Sequence, residues 1–165
     1  MTRPAIPGLG AVTIRSIDND HPRPQSSSTW DDWGTMAPEV KDMVMERWLI
    51  EVTGDDGAAV PVGDLSAHAV WYGPTPGSRA LNIGIAVAEP YRGRGIGSIA
   101  QRLLAEVLHA RGVVRVEAST DVDNIPEQRS LARAGFAFEG IIRCAQARKD
   151  GLHDLQGWAH IEQAP

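Results

Sequence analysis

Cysteine is almost missing from this chain. Cys144 is the only one in 165 residues, so no intrachain disulfide can form and nothing points to an oxidising compartment. Cys144 itself reads as a spectator thiol rather than a nucleophile. No Cys and His set stands at zinc-ligand spacing, and no metal is expected. Long apolar runs are missing too. No stretch approaches the roughly 18 apolar residues of a membrane span. The opening "MTRPAIPGLG" lacks the apolar centre of a secretion signal. A cytoplasmic protein with no membrane partner is the expectation. Positive charge is in deficit: the net charge is −5, which argues against a general nucleic-acid binder. Aromatic residues are scarce at 5%, yet 5 of them are tryptophans, so the position of each tryptophan matters.

What remains suits one ordinary domain. Hydrophobic residues make up 42% of the chain, enough for a real core. Residues 1–10, rich in Pro and Gly, read as a flexible N-terminus, and residues 11–165 as a single domain. "AVTIRSID" alternates imperfectly and reads as a strand. The prolines of "NDHPRPQSSSTWDDWGTMAP" forbid a long helix, although Ser28 or Thr29 can cap a short one through "WDDWGTM". A loop of that length in a compact domain is usually functional. "RWLIEV", "AAVPVGDLSAHAVWYG" and "RALNIGIAV" follow as three strands of an antiparallel meander, with Pro61 marking a bulge or an edge. Ile96, Ile99, Ala100, Leu103, Leu104, Val107 and Leu108 then form one stripe at helical spacing, stopped by Gly112. "VVRVEAS" is a strand. "NIPEQRSLARAG" is a helix opened near Pro126 and closed by Gly135. The last strands flank a turn at "KDG". The order is β, short helix, βββ, α, β, α, ββ: a mixed α/β (α+β) sheet protein.

The strongest local signal is "YRGRGIGS", between the fourth strand and the first long helix. A dinucleotide fingerprint needs its third glycine one residue later, in a parallel βαβ unit. A phosphate loop of the NTPase type needs a lysine that is absent. The same physics works without either motif. Amides of a glycine-rich turn, with the open start of a helix, hold a phosphate or pyrophosphate. Arg92 and Arg94 add positive charge.

Arg92, Gly95 and Gly97 occupy the defining positions of [QR]-x-x-G-x-[GA], and the stretch resembles the acetyl-coenzyme A signature of the GNAT superfamily of N-acetyltransferases. "NIPEQRSLARAGFAFEG" is similar to its late motif, an Asn before a helix that ends in Gly-Phe. "F-x-x-E-G-x-x-R" through Arg143, "VGDL" and "IGIAV" resemble the RimJ/RimL-like branch. The resemblance spans roughly residues 45–162 and implies a V-splayed mixed sheet flanked by helices. It implies that acetyl-CoA places its pyrophosphate on the amides of Arg92, Gly93, Arg94, Gly95, Ile96, Gly97 and Ser98. The pantetheine arm would run along the strand ending at Val87, with Asn124 on its other side. The Val87 N–H would polarise the thioester carbonyl.

The implied reaction moves an acetyl group to a primary amine, either a protein N-terminal α-amine or a small-molecule amine. The position where many relatives carry an acidic Tyr is Leu131, and the position of a Ser used in the RimJ/RimL-like branch is Glu127. Ser130 lies close by. Glu127 and Ser130 otherwise read as polar residues on a helix surface. Candidate bases are Glu117, His68, Asp121, Asp123, and His153 with Asp154, since Asn82 replaces an acid found in several relatives. Trp30, Asp31, Asp32 and Trp33 fall where the superfamily builds its acceptor wall and suit a cationic, partly apolar amine. A non-catalytic acyl-CoA-binding or regulatory module is the alternative. The C-terminal strands offer an edge and leave a homodimer open.

Overall fold

The computed structural model describes residues 9–26, 28–35, 37 and 43–162. Most of the expected flexible N-terminus, residues 1–10, lies outside the described residues. Leu9 packs on the core, and the Gly10 amide donates to Thr53 O at 2.9 Å.

Among the described residues, seven strands and two α-helices follow one another in the order the sequence pattern requires. They are β1 (Val12–Ile17), β2 (Glu46–Thr53), β3 (Ala59–Trp71), β4 (Arg79–Val87), α1 (Ile96–Ala110), β5 (Arg115–Asp121), α2 (Ile125–Ala134), β6 (Ala137–Arg148) and β7 (Gly151–Ile161). One sheet holds all seven in the order β1-β2-β3-β4-β5-β7-β6. Its single parallel pair is β4 with β5, joined by the crossover through α1. The short helix expected through "WDDWGTM" is only one 3₁₀ turn, Thr29–Asp31, capped by the Ser28 hydroxyl; Met36 lies outside the described residues. Pro61 marks a bulge, and it lies before the β4 ladder begins at Gly63, with a ladder partner on β2 only. Ile50 pairs with Gly63 and Glu51 with Pro61, so Val62 is the extra residue of the bulge.

The core lies between the sheet and the helices. Leu65, Leu81 and Val116 from the strands meet Ile96, Leu104, Leu108 and Leu131 from the helices, each at most 1% exposed. The α1 stripe is narrower than its spacing suggests: Val107 is exposed, and polar Gln101 is buried instead.

One irregularity decides where ligands can go. The β4–β5 ladder runs only from Leu81–Val116 to Ile83–Ala118. The β3–β4 ladder continues to Gly63–Val87. Among the described residues, the last part of β4 therefore has a partner on one side only. A gap opens between the C-terminal ends of β4 and β5. A second irregularity sits on β6, where residues 143–145 face only Asp154 between the pairs Ile142–Leu155 and Gln146–His153, and Cys144 takes φ 51°.

Candidate active site

The gap has a glycine-led helix at its mouth. Gly93 and Gly95 adopt φ of 72° and 79°, a region that costs other residues strain. Gly95 is the N-cap of α1 and brings no side chain, so the first amides of the helix have no internal acceptor. The Ser98 hydroxyl turns back to Gly95 O at 2.9 Å and leaves those amides open. The arrangement suits an anion by charge and by hydrogen bonding together. Gly97 serves differently. A Cβ there would sit 3.1 Å from Ser130 Oγ and 3.7 Å from Ile85 Cδ1, so its absence lets α1 and α2 close on the rim of the gap.

The backbone of β4 presents the next group. The Ala88 amide donates to Val62 O at 2.8 Å. By strand alternation the Val87 N–H points away from β3, into the gap. The Val87 carbonyl accepts from Arg92 Nε at 2.8 Å. Arg92 Nη2 donates to Ser26 Oγ at 2.9 Å, and Ser26 Oγ lies 3.4 Å from Val87 O. The Arg92 guanidinium thus fastens the residues before β2 to the end of β4.

Asn124 caps α2. Its Oδ1 accepts the Glu127 amide at 3.4 Å, and its own amide donates to Asp121 O at 3.0 Å. Its side-chain nitrogen has no protein partner among the described residues. Leu131 is fully buried in the core. Ser130 and Glu127 are not on an open helix surface, as their polarity suggests, but half-buried in the seam with α1. The reason is Gln101, whose buried side chain takes a bond from one and gives a bond to the other.

On the sheet face away from the helices, His68, Asn82 and Glu117 form one row across β3, β4 and β5. Glu117 Oε2 accepts from Tyr72 Oη at 2.7 Å and from Arg115 Nε at 2.9 Å. That bond to Glu117 holds the Tyr72 hydroxyl above its ordinary pKa. Arg115 also donates to Glu139 at 2.9 Å, and this pair raises the arginine and lowers the Glu139 carboxyl. A cavity of about 250 Å³ adjoins the row, lined by Tyr72, Glu117, Ser119, Ile141 and Ile142 among others. The sequence marks Glu117, but not Tyr72, which follows β3, or the two isoleucines that come to it from β6.

The expected acceptor wall gathers at the β6–β7 turn. Trp30 and Trp33 each lie against the Arg148 guanidinium, 5.6 and 5.9 Å from their ring centres. Arg148 Nη1 pairs with Asp121 Oδ2 at 2.9 Å, both side chains almost fully buried. His153 Nδ1 reaches the same oxygen at 2.8 Å, and its Nε2 reaches Asp150 at 2.8 Å. The Asp150 bond raises the His153 pKa. Lys149 Nζ pairs with Asp32 at 2.6 Å. Burial pushes the Asp31 carboxyl up, against the pull of Arg148 and Arg92. Segment 28–34, with Ser26, is therefore a strap from the end of β4 to the β6–β7 turn, across the mouth of the gap. The cation that the two tryptophans meet is Arg148. Asp123 donates its amide to Asp121 Oδ1 at 2.8 Å, and Asp154 Oδ1 accepts from the Cys144 amide at 2.7 Å, so both serve the backbone.

A split sheet with an uncapped helix start at its opening sets an anion-compatible turn beside an outward-facing strand amide. The chain belongs to the GNAT acetyltransferase family, whose model matches residues 14–136. No curated protein sequence matches the chain significantly. Among solved structures it is similar to Mycobacterium smegmatis RimJ in complex with a CoA disulfide. There the identity is 27% and the TM-score 0.59, over 71% of this chain and 53% of that one. The chain thus spans about half the length of that RimJ. It is also similar to RimL, a ribosomal L7/L12 α-N-protein acetyltransferase in complex with coenzyme A, at 25% identity and TM-score 0.60, over 77% of this chain and 67% of that one. A ribosomal-protein-S5-alanine acetyltransferase from Vibrio fischeri shares the fold at 18% identity and TM-score 0.60, over 73% and 64%. Among the described residues no helix is long and apolar enough to cross a membrane.

Proposed function

We propose that the protein transfers an acetyl group from acetyl-CoA to a primary amine, by direct attack of the amine on the thioester. The observation that carries this reading is the Val87 N–H aimed into the β4–β5 gap beside the uncapped start of α1. The amides from Arg92 to Ser98 hold the pyrophosphate, Asn124 meets the arm, and the Val87 amide stabilises the developing oxyanion. A preorganised donor of this kind contributes about 3 kcal/mol.

The acceptor reaches the thioester from the face without helices, where Glu117, His68 and Asn82 form their row. Glu117 is the base there, acting through water on the amine proton, with His68 beside it. The preferred acceptor is a protein N-terminal α-amine. The similarity to RimL, a ribosomal L7/L12 α-N-protein acetyltransferase, supports this. Chemistry supports it as well: an α-amine with pKa near 8 is neutral in about one molecule in ten at pH 7, a lysine amine in about one in several thousand. The α-amine needs far less from a base whose Oε2 already accepts two bonds. Trp30, Asp31, Asp32 and Trp33 bound the acceptor as part of the strap.

The test is coenzyme A release with two panels, peptides bearing varied N-termini and small amines. Turnover of the peptides above the amines supports this reading. Acetyl-CoA binding with no release from either panel makes the chain an acyl-CoA-binding module instead.

A further inference from the structure

A cavity of about 250 Å³ lies beside the β4–β5 gap, and none of the residues assigned to the cofactor lines it. It begins at Ser119, the residue after the last parallel pair, Ile83–Ala118. Ser119 pairs with Gly157 of β7, and Gly157 with Gly140 of β6. Residues directly opposite each other share a face, so all three lie with Glu117 on the side without helices. The cavity crosses the sheet over them, and its floor carries no side chain larger than that of serine. Ile142 supplies one wall. A Cβ on Gly157 would lie 3.5 Å from Ile142 Cδ1, and Ile142 is exposed.

The opposite wall is charged. Glu117 is only 8% exposed. Its Oε2 takes the bonds from Tyr72 and Arg115, and its Oε1 accepts none among the described residues. Arg115 stands between Glu117 and Glu139, so these three groups leave one negative charge in excess. Glu139 is there because the register shifts between Phe138 and Gly140, which leaves it without a partner on β7. A slot with an excess carboxylate on one side and an isoleucine on the other suits a chain that is cationic at its end and apolar behind it. An α-amine is such an end, protonated in about nine molecules in ten at pH 7.

The strap crosses the mouth of the gap and is fastened at the β6–β7 turn, which leaves the route over β7 and β6. Neighbouring strands lie about 4.8 Å apart. An extended chain advances about 3.4 Å per residue, so about three residues reach from β5 to β6. β6 is the last strand of the sheet, and beyond it lies solvent. We propose that this cavity is the pocket for the second residue of the acceptor peptide, and that Gly157 and Ile142 are specificity-determining residues that favour an apolar side chain there over none. This rests on the acetyl-transfer reading. The first residue stands over Ser119, its amine between Glu117 Oε1 and the thioester. The second stands over Gly157 with its side chain against Ile142. The third leaves the sheet at Gly140.

The probes are two tripeptide amides, alike except for leucine or glycine at the second residue. With acetyl-CoA and the wild-type protein, kcat/KM is expected to be at least about tenfold higher for the leucine peptide, the scale of a side chain entering an apolar pocket. Gly157→Ala adds a methyl at ordinary contact distance from Ile142, so the chain still folds while the pocket shrinks. The leucine preference is expected to fall at least about fivefold there, through KM. Ile142→Ala removes the wall at an exposed position and has the same expected effect. A wild type without leucine preference, or a preference kept whole in both variants, overturns the proposal. Lengthening the peptide beyond three residues is expected to leave kcat/KM unchanged; a steady gain with length overturns the path over β7 and β6. Binding is read separately, by amide NMR of the coenzyme A-bound protein titrated with the leucine peptide. Shifts at Gly157 and Gly140 support the pocket, and a titration that moves neither overturns it. Those shifts without turnover of any peptide fail the acetyl-transfer reading and keep the pocket. Turnover with neither preference nor shifts fails the pocket alone.

Discussion

Arg148 has a buried guanidinium and uses every side of it. Asp121 takes one edge, and the rings of Trp30 and Trp33 take its flanks. Arg148→Ala leaves Asp121 buried with only His153 to balance it. The expected loss is about 3–5 kcal/mol, read from urea unfolding. His153 adds a pH signature. Its folded pKa is raised, so its contribution is fully present below the unfolded value of about 6.5 and fades as pH rises through the higher folded value. The stability gap between wild type and His153→Gln should therefore close on the alkaline side; a gap that widens there refutes the pairing. Arg148 is illegible in the sequence because "ARKDG" reads as a surface turn. Only the strap, distant in the chain, makes its site dry. Trp30 and Trp33 stand out by residue type alone, but the cation they meet does not.

The helix α1 carries different demands at its two ends. At the start, Gly97→Val thrusts two methyls at Ser130 and Ile85. Acetyl-CoA affinity should fall at least about tenfold, or 1.4 kcal/mol, by calorimetric titration. Unchanged affinity removes the cradle from the cofactor site. At the far end, His109 Nδ1 sits 2.6 Å from Val113 O and must donate, so its Nε2 accepts from His160 Nδ1 at 2.8 Å. Burial and the neighbouring His109 lower the His160 pKa. Stability linked to this pair is present above the unfolded value of about 6.5 and is lost as pH falls through the folded one. His160→Gln should flatten the fall in melting temperature between neutral and mildly acid pH. The element order was legible throughout, since period-2 and period-3.6 patterns and the stops at Gly112 and Gly135 are local. The burial of Gln101 was not, because it depends on where α2 docks. Glu127 and Ser130 follow it inward for the same reason.

Across the whole molecule, the strap joins both lips of the sheet opening through Arg92 on one side and Arg148 with Lys149 on the other. The double variant Trp30→Ala, Trp33→Ala should loosen the strap, each lost cation–π contact with Arg148 costing about 0.5–2 kcal/mol of stability, and raise the acceptor KM several-fold through the displaced wall. Acetyl-CoA affinity should hold; a parallel loss of both makes the strap a mere structural prop. The gap itself follows from a ladder that stops after Ile83–Ala118, and no residue pattern announces where two parallel strands part company. The β6 strand bears on the company the molecule keeps. It is the sheet's last strand, with Phe138, Ile141 and Ile142 exposed along it. An edge like this invites neighbouring chains to add on strand by strand. The irregularity at residues 143–145 breaks that invitation. An incoming strand cannot stay in register through the shift between Phe138 and Gly140 or through the left-handed Cys144. The edge of the sheet is thereby cut into short runs, none long enough to template one chain after another.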